Sequence, residues 1–132
     1  MTSFLARSLG LGLALALAGC AGAPSPTFDR FPLMARDGPP GGGPCPSGSI
    51  EGVLVPDETS GLGLDTGSGV RDVHWPPGYG AGRSGADVVL LDETGSLVAH
   101  VGDRLVLHGE AATWDANLWQ PCRPVVLPRA SG

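Results

Sequence analysis

The chain reads as all-β, a small antiparallel barrel or sandwich of five to seven short strands. Three observations predict this. Apolar residues recur in short runs broken by Gly, Pro and Asp, and no window carries a convincing apolar stripe at helical spacing. The breaks hold residues with turn chemistry. Two cysteines, Cys45 and Cys122, bracket the patterned region.

The elements follow in order. Ile50 to Val55 is an apolar run that stops at Pro56, and Gly61 to Asp65 is a second, weaker one. Val70 to Trp75 alternates, with Val70, Asp72 and His74 on one face and Arg71, Val73 and Trp75 on the other. Asp87 to Leu91 is continuously apolar after its first residue and rich in Val, which suits a strand buried on both faces. Asp92-Glu93-Thr94-Gly95 then reads as a turn, because Asp bonds its own backbone and Gly tolerates positive φ. Leu97 to Val101 is the return strand. Gly102-Asp103 predicts a two-residue type II′ hairpin, with Arg104 to His108 pairing back so that Val101 faces Arg104. Thr113 to Trp119 has room for one helical turn, and Pro124 to Leu127 is a last short strand. Closing such strands into a barrel removes exposed edges. A five- or six-stranded barrel resembling an OB-fold is the expected form.

The N-terminus has the layout of a secretory signal. Arg7 supplies the positive charge, Leu9 to Ala18 is unbroken Leu, Ala and Gly, and Leu17-Ala18-Gly19-Cys20 closes the run. At roughly 10 residues the run is too short to span a bilayer, which takes about 20. The closing tetrapeptide resembles the lipobox of bacterial lipoproteins. The resemblance implies cleavage before Cys20 by signal peptidase II, diacylglyceryl and palmitate-type acyl chains on Cys20, and residence on the extracytoplasmic side of a cell membrane or outer membrane. Residues 1–19 are then the signal peptide and Cys20 the membrane contact. Ala21 stands where an Asp would imply retention at the inner membrane.

Residues 20–44 read as the lipidated cysteine and a tether, opened by Ala-Gly-Ala-Pro-Ser-Pro and closed by Gly38 to Pro44. Phe28, Phe31, Leu33 and Met34 interrupt it. They are expected to lie on the membrane or the domain surface, or to dock a partner. Residues 45–128 form the β domain and 129–132 a tail. With Cys20 acylated, Cys45 and Cys122 have only each other within the chain, and an exported protein lives where disulfides persist. A Cys45–Cys122 bridge is expected. The alternative, a reactive or metal-binding thiol pair, lacks a Cys-x-x-Cys spacing.

Composition narrows the partners. The chain carries 13 acidic side chains against 8 basic ones, all Arg, for a formal charge of −5, and loss of the signal removes Arg7 as well. Such a chain is a poor ligand for nucleic acid. The expected contacts are the membrane through Cys20 and either an envelope protein or a small ligand.

Trp75-Pro76-Pro77-Gly78-Tyr79, Val88 to Asp92, Leu97 to Asp103 and the first strand Gly52-Val53-Leu54-Val55 are together similar to a group of small exported bacterial proteins. The similarity runs over roughly residues 50 to 109. It implies a shared fold and no mechanism.

Candidate chemistry is sparse. Asp65-Thr66-Gly67-Ser68 resembles the aspartic-protease motif, but a single copy needs a homodimer and the same residues make an ordinary turn. His74, His100 and His108, with Glu110, are metal-ligand types. The predicted hairpin would put His100 and His108 on opposite faces, so no shared metal is expected. Trp75 and Tyr79 either cover one barrel mouth or form a binding shelf, and Trp114 and Trp119 either cap a core near the disulfide or form an exposed patch. No nucleophile elbow, phosphate loop or paired-carboxylate signature is present. The reading is therefore a non-catalytic module without a cofactor.

Overall fold

The computed structural model describes residues 28–37 and 44–128. Ten strands and no helix make up the described residues: β1 (Asp29–Phe31), β2 (Gly48–Asp57), β3 (Gly61–Asp65), β4 (Val70–Val73), β5 (Gly80–Ser84), β6 (Asp87–Leu91), β7 (Leu97–His100), β8 (Arg104–Ala112), β9 (Asp115–Pro121) and β10 (Val125–Val126). Five of them close a barrel, in the order β8-β2-β3-β4-β9 and back to β8, with β10 added beside β8. The closure matches the OB-like barrel expected from the sequence. One pairing departs from the antiparallel expectation: β4 and β9 run parallel, with Asp72 opposite Leu118 and Val73 opposite Trp119. Parallel neighbours need a long crossover, and β5 to β8 supply it.

The three strands between β4 and β8, joined by β1 from the start of the described chain, form a second sheet, β1-β5-β6-β7, antiparallel throughout. Its Tyr79 approach, Ala81, Leu90 and Ala99 share one core with the barrel residues Leu54, Leu62, Leu64, Val73, Trp75, Leu105, Leu107 and Trp119. Each fully buried Leu contributes roughly 1.5–3 kcal/mol by leaving water. Both core indoles keep their N–H groups satisfied: Trp75 Nε1 donates to the Leu62 carbonyl (2.9 Å) and Trp119 Nε1 to the Leu107 carbonyl (3.1 Å).

The Gly102-Asp103 hairpin is corrected. β7 pairs with β6, whereas β8 pairs with β2, β9 and β10. Gly102, at φ 99°, is the third residue of a turn closed by the Asp103 N–H on the His100 carbonyl (3.0 Å). That is a type II arrangement, and it carries the chain from one sheet to the other rather than back along the same one. Gly102 then donates to the Leu54 carbonyl (2.8 Å) and starts the pairing of β8 with β2. The helical turn allowed for Thr113 to Trp119 is also replaced. Thr113 and Trp114 turn the β8–β9 hairpin, and β9 follows.

The tether reading fails for residues 28–37. Asp29 to Phe31 pair with Arg83 to Ala81 of β5, and Ala35 bridges Trp75. Met34 donates its N–H to the Ser60 carbonyl (3.0 Å), and Arg36 donates its N–H to the Trp75 carbonyl (2.8 Å). Phe31, Leu33 and Ala35 pack on the core. The segment is a strap across the domain. Gly82 lets it approach: a Cβ there would lie 2.5 Å from the Cβ of Phe28.

The Cys45–Cys122 disulfide is present, with Cα atoms 5.9 Å apart and a sequence separation of 77. Gly48 and Pro121 flank Gly109 on the two sides of β8, so the bridge ties the start of β2 to the end of β9 across that strand.

Candidate functional site

Val73 at the end of β4 and Trp75 just beyond it are buried, and the same alternation puts Arg71 on their face of the chain. Its guanidinium lies 5.5 Å from the centre of the Trp119 ring. Arg71 Nε donates to the Asn117 carbonyl (3.2 Å) and Nη2 to the Ala116 carbonyl (2.9 Å), which fixes the head group against β9. Beside it opens a groove of about 320 Å³. Ile50 and Glu51 of β2 form one wall, Thr66, Ser68 and Gly69 the rim, and Val70, Arg71 and Asn117 the other wall. The rim is held by its own turn chemistry. Asp65 Oδ1 accepts the Gly67 N–H (2.9 Å), and the Thr66 N–H and hydroxyl both reach the Gly69 carbonyl (3.2 and 3.3 Å). A positioned cation, rim hydroxyls and two aliphatic side chains suit hydrogen bonding to a small polar group.

A carboxyl pair lies on the neighbouring outer face. Asp57 accepts from the Ser60 hydroxyl and from the Ser60 N–H (3.0 Å). Burial pushes the Asp57 carboxyl up, but the Ser60 bonds and a hydrogen bond with Asp72 outweigh it and hold Asp57 below the usual carboxylate range. Asp72 goes the other way. Burial raises it, and the Asp57 carboxylate raises it further through the shared hydrogen bond and its charge. Asn117 offsets part of this by hydrogen-bonding Asp72.

The four aromatic candidates do not converge. Trp75 is fully buried, Tyr79 and Trp119 are nearly so, and Trp114 is 69% exposed at the tip of the β8–β9 hairpin. A shared ligand shelf of Trp75, Tyr79, Trp114 and Trp119 is therefore ruled out by geometry. Three of them are core. Pro76 accepts the Tyr79 N–H (3.2 Å), so Trp75 to Tyr79 is the stiff corner between barrel and second sheet. Burial raises the Tyr79 phenol above its ordinary range.

Asp65 is exposed at the end of β3 and serves the rim turn. The histidines sit on separate elements. His74 Nδ1 is 3.4 Å from Gln120 Nε2, His100 Nδ1 is 3.0 Å from both Asp87 oxygens, and His108 lies opposite Ser49. His100 and His108 are thus kept apart by belonging to different sheets, not by the faces of one hairpin. Among the described residues no group of three His, Cys, Asp or Glu side chains can hold a metal ion. Cys20 lies outside the described residues.

Arg71, Ser60 and the Asp57–Asp72 pair were not recognisable as site residues from sequence. The parallel β4–β9 pairing sets Arg71 against β9, and the β2–β3 turn separately sets Ser60 on Asp57; neither has a local sequence signal. Comparison with protein-family models, with curated proteins and with solved structures finds no match to this chain.

Proposed function

We propose that the protein is a bacterial envelope lipoprotein, held by acyl chains on Cys20, whose β domain acts by binding and not by catalysis. The observation that carries the anchor is Leu17-Ala18-Gly19-Cys20 at the end of a short apolar run. A single acyl chain holds a protein only marginally, and two or three hold it essentially permanently. The proposed site of action is the extracytoplasmic face of the cell membrane or outer membrane. Two features support a binding or accessory role. Trp114 is exposed on a hairpin tip, and large aromatic residues dominate protein contacts. The groove is lined by the Arg71 guanidinium, which the Asn117 and Ala116 carbonyls hold in place, and by polar rim residues Thr66 and Ser68. Asp65 supports a hydrolase poorly, because turn geometry accounts for its motif.

The anchor is tested by growing cells with an alkyne palmitate analogue. Wild type incorporates the label and fractionates with membranes, whereas Cys20→Ser does neither. Equal labelling of the two proteins overturns the anchor. The binding mode is tested by a photo-crosslinking side chain at position 114, with position 97, also exposed, as control. A discrete envelope protein crosslinked from 114 alone supports a partner at the hairpin. Identical products from both positions contradict it.

A further inference from the structure

The strap changes what the anchor does to the domain. Residues 20–44, taken as a free tether, would leave the domain reaching about 85 Å from the lipid at full extension. With Phe28 onward docked on the fold, only seven residues separate it from Cys20, and full extension from Cys20 to Phe28 is about 29 Å. The strap's contacts are grouped. Beyond β5 it meets Ser60 and Gly61 at the β2–β3 turn, Trp75 where the chain leaves β4, and the Pro121 carbonyl, to which Arg36 Nη2 donates (2.6 Å). β3 then runs from Gly61 away to Asp65, and β4 starts at Val70 and returns. The groove rim at Thr66 to Gly69 therefore occupies the far end of the strands whose near end the strap covers. The start of β9, next to the Trp114 turn, lies at that far end as well, because β9 runs parallel to β4.

We propose that the strap orients the domain on the membrane, with the β1–β5 edge toward the headgroups and the groove and Trp114 hairpin facing away. The anchored surface is then the β1–β5 edge, where Arg30 and Arg83 are exposed beside Asp29. The binding end is offered to a partner in the aqueous compartment and not to the bilayer. The inference rests on the lipid anchor proposed above.

The test uses the full-length lipidated protein in phosphatidylcholine–phosphatidylglycerol vesicles that carry a headgroup energy-transfer acceptor. A donor dye is placed on Ser84→Cys, next to β1, or on Ser68→Cys, on the groove rim. Both positions are exposed. Transfer from position 84 is expected to exceed that from position 68 by on the order of twofold, given the short reach. Inserting ten Gly/Ser residues between Ala23 and Pro24 is expected to shrink that difference. Protein that does not float with the vesicles refutes the anchor itself. Protein that floats but shows equal or reversed transfer, or a difference unmoved by the insertion, refutes the orientation alone.

Discussion

Removing the Cys45–Cys122 bridge is the sharpest test of how this small domain is held together. The bridge joins cysteines at a sequence separation of 77. In the chain-entropy treatment, a loop of that length costs the unfolded chain about 4.5 kcal/mol of freedom at 25 °C. A domain of this size has a net stability of roughly 5–10 kcal/mol, so the bridge supplies a large share. At about 4–8 °C per kcal/mol, the double variant Cys45→Ser/Cys122→Ser is expected to melt about 18–36 °C below the oxidised protein. Neither cysteine is a core side chain, since Cys45 is exposed and Cys122 half-buried. The substitutions therefore leave no core cavity, and the loss is assigned to a freer unfolded chain. The unfolded ensemble also expands, so the urea m value is expected to rise. Thermal and urea unfolding of the two proteins, followed by near-UV circular dichroism, reads both quantities. A drop of less than about 5 °C with an unchanged m value refutes an entropic role for the bridge and places the domain's stability in its packing alone.

Gly82→Ala drives a methyl group into Phe28. Hydrogen exchange is expected to speed up at Met34 and Arg36, whose N–H groups bond Ser60 and Trp75, while β3 and β8 stay protected; uniform loss of protection contradicts a separable strap. Asp72→Asn removes a like charge beside Asp57 and keeps a hydrogen-bond donor. Asp72 is raised above 3.8 when folded, so its favourable, protonated contribution is lost as pH rises through the folded value. The variant is expected to be more stable at pH 7, by under about 1 kcal/mol for a solvent-screened pair, and to lose that advantage below pH 3.8, where wild-type Asp72 is protonated; a gain unaltered by pH contradicts the pairing. Trp114→Ala is expected to remove nearly all iodide-quenchable tryptophan emission and to change stability by no more than about 0.5 kcal/mol, because Trp75 and Trp119 are buried. Persisting quenching would show that one of those two is reachable.

Much of the barrel was legible because its strands carry their own signals. Gly61–Asp65 and Asp87–Leu91 match β3 and β6 at both ends. Asp92 to Gly95 turns as expected, with Asp92 Oδ1 accepting the Thr94 N–H, the Thr94 hydroxyl and the Ser96 N–H. The strands that were missed are those made by their neighbours. β5 is Gly-Ala-Gly-Arg-Ser, and β9 begins Asp-Ala-Asn, both poor in β-forming residues. β5 exists because β6 and β1 pair with it on either side. β1 was hidden among Pro and Gly, and only its tertiary partners identify it as part of the fold. The Gly102 turn was legible as a turn but not as a change of sheet, since a type II corner and a type II′ hairpin use the same residues in shifted positions. Carboxyl pairing and the Arg71 groove depend on strands distant in sequence, which no local pattern records.

Both the proposed anchor and the proposed orientation stand on Cys20 becoming the lipid-bearing first residue of the mature protein. Intact and peptide mass spectrometry of the protein extracted from membranes with detergent tests it directly. The expected N-terminal peptide begins at Cys20 and carries a diacylglyceryl group, with the Cys45–Cys122 disulfide intact in the same molecules. An N-terminus at any other residue, or an unmodified Cys20, would contradict it.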